Sequence, residues 1–296
     1  MIGIHDREIQ IAQLQNETWS NLIDGIQVWC GSLFANDSLQ FNQDTNWQDN
    51  CQPLFQAARD AGVQFQLMIS GDVPVSAYDN AQPWIDDAIA IQKHLGIDGF
   101  SLDDERDCAP LATLSELHLW LNFHNSFTTA LSEHGIPVTS AIQAVFAIQD
   151  NADNHPCDHS PATYPFEPRV SSALAQAQAA TLQKWLIMDT YYFLTGQFMG
   201  ALDWHVKHIP LQILAIGMSN RADLTKADLV ARFHAIDKSG VDWINIFMMP
   251  IADNFLPFLS RWKTHCAGCG AQSILGCYDL TIECHAPPNE NSSTVL

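Results

Sequence analysis

Short apolar runs recur along the chain, separated by segments whose apolar residues return at helical spacing. Gly25–Cys30 (GIQVWC), Val63–Ser70 (VQFQLMIS), Gly96–Asp103 (GIDGFSLD) and Ile136–Ile142 (IPVTSAI) read as strands. Trp185–Phe193 (WLIMDTYYF), Leu211–Gly217 (LQILAIG) and Trp243–Met249 (WINIFMM) complete the visible set. Trp84–Leu95 and Leu224–Gly240 carry helical periodicity between them. Several of these helical segments end in a glycine just ahead of the next strand, at Gly62, Gly96, Gly135 and Gly240. That is the signature of a helix C-cap, repeated in register.

Strands alternating with helices imply a parallel sheet. Met1–Ile4, followed by a helix over Arg7–Leu22, supplies an eighth strand, and eight such units fit a (β/α)8 TIM barrel. A doubly wound open sheet is the rival fold, but no G-x-G-x-x-G or P-loop follows any strand. The composition changes at Lys263, where a Cys-rich stretch leads into a polar tail. The expected organisation is therefore a TIM-barrel domain over 1–262 and a Cys-rich C-terminal extension over 263–296.

Composition narrows the function classes. Of 296 residues, 47% are hydrophobic and 16% charged, which is globular, and no apolar run is long enough to span a bilayer. Asp and Glu total 33 against 13 Lys and Arg, a formal charge of −20 that opposes binding to nucleic acid or an anionic membrane. Neutral ligands such as sugars remain. The even count of eight cysteines and N-x-S/T triplets at Asn16, Asn36 and Asn291 point to a secreted or lumenal protein, although the chain as given opens on no signal peptide. A monomer that needs no cofactor is expected.

The chemistry concentrates at the end of one strand, in Gly99-Phe-Ser-Leu-Asp-Asp-Glu-Arg-Asp107. Side chains alternate along a strand, so Ser101, Asp103 and Glu105 share a face. In a barrel, functional groups sit at the C-terminal strand ends. Two carboxyl groups there can split their pKa values and leave one as an acid at neutral pH, as glycoside hydrolysis requires. Asp98 to Glu105 resembles the family-18 glycoside hydrolase (chitinase) signature, D-G-apolar-D-apolar-D-x-E on the fourth barrel strand, at seven of eight positions. Ser70 and Gly71 resemble the family's S-x-G-G region, with Asp72 at the second glycine, and Asp189-Thr190-Tyr191-Tyr192 resembles its M-T-Y-D element.

The resemblance implies a role for each residue. Glu105 protonates the glycosidic oxygen, and the substrate's own N-acetyl group attacks the anomeric carbon. Asp103 orients that acetamido group and tunes Glu105, while Tyr191 bonds its oxygen. Ser101, Asp189, Tyr192, Trp243, Phe247 and Met248 contribute to the sugar site, with Trp29 and Trp204 as further stacking candidates. The partner implied is an oligosaccharide containing β-linked N-acetylglucosamine, and no metal ligand set is assigned. Ser101 and Tyr192 stand where the family carries carboxylates, which keeps a sugar-binding lectin open as the alternative.

Other readings stay open on the residues alone. The acidic run suits a solvated helix-capping loop, or Mg²⁺ or Ca²⁺ in a hydrolase or lyase of another class. Cys266, Cys269, Cys277 and Cys284 suit disulfides, zinc or free thiols. His155 and His159 suit a metal or a structured loop, with Cys108 bonded to Cys157. Cys30 and Cys51 are expected to form a separate bridge.

Overall fold

The expected alternation of strand and helix builds a single curled sheet with helices on its outer face. The computed structural model describes residues 4–35, 37–41, 47–49, 51–71, 73–103, 114–142, 181–182, 184–187, 195–219, 224–247 and 251–266. The strands are β1 (Gly25–Phe34), β2 (Leu39–Gln40), β3 (Gln64–Ser70), β4 (Gly99–Asp103), β5 (Val138–Ile142), β6 (Lys184–Ile187), β7 (Leu214–Ser219) and β8 (Ile244–Phe247). β1 and β3 to β8 pair in parallel in that order, and β2 pairs antiparallel with the last two residues of β1. The sheet bends until its last strand meets its first: Asn245 Nδ2 on β8 donates to Gln27 Oε1 on β1 at 3.2 Å.

The helices are α1 (Ile4–Gln15), α2 (Glu17–Ser20), α3 (Gln52–Asp60), α4 (Val75–Asp79), α5 (Gln82–Leu95), α6 (Leu114–Glu133), α7 (Thr195–His208), α8 (Lys226–Ser239) and α9 (Leu256–Cys266). Their ends follow local rules. α5 begins with proline in its first turn and closes on Gly96, at φ 69°, whose N–H returns to the carbonyl of Gln92. α8 opens with a reciprocal capping box between Thr225 and Asp228. Gly99 answers to a different constraint, since a Cβ there would lie 2.3 Å from the carbonyl oxygen of Pro137 at the entry to β5.

Alternation divides the sheet into two faces. One row, including Phe65, Leu67, Ile69, Phe100, Leu102 and Val138, is fully buried. It packs outward on the helices: Phe65 meets Phe55 of α3 edge-on at 5.3 Å, and Phe34 meets Phe123 of α6 at 5.9 Å. Each such side chain contributes roughly 1.5–3 kcal/mol by leaving water. The opposite row carries Gln27, Gln66, Ser101, Asp103, Thr139 and Asn245, and lines the concave side.

Three expectations need correction. Ile4 opens α1, so the strand expected over Met1–Ile4 does not reach it, and the described sheet has seven parallel strands plus β2 where eight parallel ones were expected. Leu211–Ile213 is a 3-10 turn and not the start of β7, because Pro210 ahead of it accepts from the Ile213 N–H and delays the extended backbone to Leu214. The described part of β6 starts one residue earlier than expected and ends at Ile187. Among the described residues no helix is long and apolar enough to cross a membrane. The expected domain boundary after residue 262 falls inside α9, whose Lys263 pairs with Asp24 at 2.7 Å.

Candidate functional site

Asp103 is the last residue of β4 and lies on the concave face. The register sets it between Ser70, the last residue of β3, and Ala141 on β5. Ser70 Oγ donates to Asp103 Oδ2 at 3.4 Å, and Asp103 keeps only 9% of its surface exposed. A carboxylate this sheltered, at the C-terminal edge of a parallel sheet, is placed to accept from an N–H or O–H donor of a ligand.

Below it, Ser101 is completely buried, and its Oγ has no hydrogen-bond partner among the described residues. The next row is polar and connected. Gln27 Nε2 donates to Gln66 Oε1 at 3.2 Å, and the same Gln27 accepts from Asn245. The first acidic residue of the motif works elsewhere: Asp98 Oδ2 accepts from the backbone N–H of Phe65 at 2.7 Å and so staples the entry of β4 to β3. Its place in the motif is architectural, while Asp103, at the other end of β4, lies on the concave face.

The remaining candidates separate clearly. Trp243 lies just ahead of β8, at the opposite end of the sheet from Asp103, with Lys184 Nζ 4.9 Å above its ring. That ammonium also donates to the Gln212 carbonyl and pairs with Asp242, so it is held at the end of the sheet away from Asp103. Trp204 stacks on His208 at 4.0 Å, near the end of α7. Phe247 ends β8 opposite Ser219, at the same sheet edge as Asp103 by its backbone position. Glu105, Asp189, Tyr191, Tyr192 and Met248 lie outside the described residues, as do Cys108, Cys157, His155, His159, Cys269, Cys277 and Cys284. Cys266 ends α9.

Two features frame this edge. A disulfide joins Cys30 of β1 to Cys51, with Cα atoms 6.1 Å apart, as the cysteine reading expected. Asp228, at the start of α8, accepts from Thr225 and from Thr195 at the start of α7. These hydroxyls hold its carboxyl below the usual carboxylate range and tie the two helix starts together. Trp29, one of the stacking candidates in the sequence, is the one aromatic among the exposed large side chains of the described residues, at 46%. The alternation of β1 already put it on the concave row, but only the completed sheet shows it uncovered.

No family model and no curated protein matches the sequence. Solved structures do share its fold. A chitinase from Chromobacterium violaceum ATCC 12472 superposes with a TM-score of 0.63, at 10% identity, over 86% of this chain and 95% of its own. A class V chitinase from Pseudomonas fluorescens Pf-5 gives 0.62 at 9% identity, over 87% of this chain and 97% of that one. The chitinase-like agglutinin of Robinia pseudoacacia gives 0.55 at 11% identity, over 80% of this chain and 92% of that one. The chain thus has the chitinase fold, which is shared by enzymes and by an agglutinin.

Proposed function

We propose that this protein is a divergent chitinase-like glycoside hydrolase acting on glycans with β-linked N-acetylglucosamine. The observation that carries the reading is Asp103, sheltered at the C-terminal end of β4 with Ser70 donating to it, in a chain of chitinase fold. In this reading Glu105, two residues further along the sequence, gives its proton to the leaving glycosidic oxygen. The acetamido oxygen of the substrate attacks the anomeric carbon as the C–O bond breaks. Asp103 accepts from the acetamido N–H and holds it in line, and Tyr191 donates to the acetamido oxygen. Water, deprotonated by the resulting Glu105 carboxylate, then opens the cyclic intermediate with retention, in the substrate-assisted variant of the two-carboxylate scheme. Ser101 leaves Asp103 without an acidic neighbour beneath it, and Ser70 supplies the hydroxyl contact that orients it.

The Cys30–Cys51 bridge supports an oxidising, secreted or lumenal setting. The agglutinin neighbour, together with Ser101 and Tyr192 at positions where carboxylates were expected, supports a second reading, a lectin that binds the same glycans without cleaving them.

One experiment separates the two. Turnover and binding of an N-acetylated chitin oligosaccharide are measured for the parent and Glu105→Gln. An enzyme loses at least about 10²-fold in rate while keeping its binding. Equal turnover removes Glu105 from the mechanism, and binding without turnover in both proteins makes this a lectin.

A further inference from the structure

We propose that Asn16 carries an N-linked oligosaccharide, an inference that rests on the secreted or lumenal setting above and is independent of what the concave face binds. Asn16-Glu17-Thr18 is one of the three N-x-S/T triplets of the chain and the one within the described residues, since Asn36 and Asn291 lie outside them. All three of its residues are exposed. An attached glycan is bulky and hydrophilic, so its asparagine has to lie at the surface of the folded protein.

The local geometry presents the two groups that the transfer needs. The triplet starts at the junction of α1 and α2, with Asn16 extended at φ −83° and ψ 116°. Its Oδ1 accepts from the backbone N–H of Thr18 at 3.0 Å. The oxygen of the amide is thereby committed to the chain, while Nδ2 and the Thr18 hydroxyl make no hydrogen bond among the described residues. The N–H groups of Trp19 and Ser20 donate to the Asn16 carbonyl, both at 2.9 Å, and Trp19 is buried. The turn is thus anchored to the core through Trp19 while its asparagine stays in water. The bond between Asn16 and Thr18 spans two residues only, so it needs no tertiary contact and is open to the nascent chain.

The co-reactant is an oligosaccharide joined through its anomeric carbon to a lipid pyrophosphate, delivered by a transferase of the secretory lumen. Nδ2 attacks the anomeric carbon. The new C–N bond replaces the C–O bond to the pyrophosphate, which leaves with the electron pair. One amide proton passes to a carboxylate base of the transferase, and nothing is oxidised or reduced. The Thr18 hydroxyl is the group by which the transferase reads the triplet, and it does not react. The Cys30–Cys51 bridge supports passage through the kind of compartment that holds such a donor.

The test is peptide mapping by mass spectrometry, before and after treatment with a peptide N-glycosidase, on the full chain expressed through a eukaryotic secretory pathway. Parent and Thr18→Ser are expected to carry glycan on the peptide containing Asn16, which the glycosidase leaves with aspartate at that position. Thr18→Ala and Asn16→Asp are expected to lose it completely. Both variants keep the turn, because alanine retains the backbone N–H donor and aspartate the acceptor oxygen. Unmodified Asn16 in secreted protein whose Cys30–Cys51 bridge is formed overturns the proposal and leaves the secreted reading standing. Glycan found at Asn36 or Asn291 alone does the same, and glycan that persists at Asn16 in Thr18→Ala overturns recognition of the triplet. Recovery of the chain with Cys30 and Cys51 as free thiols overturns the secreted reading, and the modification with it.

Discussion

The two faces of one short strand differ as much as any two parts of this molecule. On β4, Phe100 and Leu102 point into the helix layer, and Ser101 and Asp103 point into the concave side, yet all four are buried. Burial alone therefore does not tell core from cleft. The outer residues sit among apolar partners, as Phe34, Phe123 and Phe127 do in their aromatic cluster. On the inner side Asp103 accepts from Ser70, and amides of β1, β3 and β8 bond one another across strands. The outer face holds the apolar core of the fold; the inner face carries the polar row that includes Asp103.

The largest effect expected from this contrast is on the outer face. Phe100→Ala removes a fully buried ring from the sheet–helix layer and is expected to lower unfolding free energy by about 3–5 kcal/mol. Urea denaturation at neutral pH measures it. A loss below about 1 kcal/mol would mean that the helix layer collapses onto the gap and that the outer face is not the rigid part.

The helix layer carries a second vulnerability, one of pH. His205 on α7 is fully buried, with Nδ1 donating to the Ala201 carbonyl at 2.8 Å, and burial lowers its pKa to about 4. His208, on the same helix, adds a smaller push in the same direction. In the unfolded chain the imidazole takes a proton near pH 6.5. Between those two values the unfolded state binds more protons, so stability falls as pH drops from about 6.5 to about 4 and levels off below that. The total is of the order of 3 kcal/mol. His205→Leu should flatten that part of the pH–stability curve, and an unchanged slope would show that His205 is not the group responsible.

Much of this layering is legible in the sequence, for local reasons. Glycine caps such as Gly96 and the alternation of GFSLD rest on neighbouring residues only. What escapes is long-range. β2 is two residues long and exists because Leu33 and Phe34 pair with it and Asp87 accepts from the Leu39 N–H at 3.0 Å. Ile4 reads as strand within an apolar run but belongs to α1, whose Gln13 bonds the backbone of Ile251 near the other end of the described chain. At the site, alternation assigns Asp103 its face, but only the register of β3 against β4 brings Ser70 to it. Likewise, the pairing of β3 with β4 is what brings the Phe65 N–H to the Asp98 carboxylate.

A smaller effect is expected where the concave face is knit together. Gln27→Ala removes both the bond to Gln66 and the one from Asn245 that links the last strand to the first. Each bond is worth about 1 kcal/mol, so a net loss of about 1–2 kcal/mol is expected. A loss matching that of Phe100→Ala would make this contact between β1 and β8 a principal support of the sheet, and the division between faces would fail there.

The smallest effect gives the sharpest test, because it lies one residue from the largest. Ser101 is as buried as Phe100, but its hydroxyl has no partner among the described residues. Where no bond is returned to it, as among the described residues, a buried hydroxyl costs about 1–3 kcal/mol that alanine does not carry. Against this, alanine loses only one small atom's contacts. Ser101→Ala is expected to leave unfolding free energy within about 0.5 kcal/mol of the parent or to raise it slightly. Denaturation of Ser101→Ala and Phe100→Ala under one set of conditions decides the matter. A loss above about 2 kcal/mol for the alanine variant would show a hydrogen bond to Ser101 in solution, and the concave face would then be part of the framework. If the variant is stable as expected, Ser101→Asp becomes the functional counterpart. Placed beneath Asp103, a second carboxylate should shift the pH profile of turnover, because like charges in one shelter titrate as a pair. An unshifted profile would mean that Asp103 does not share the reacting centre.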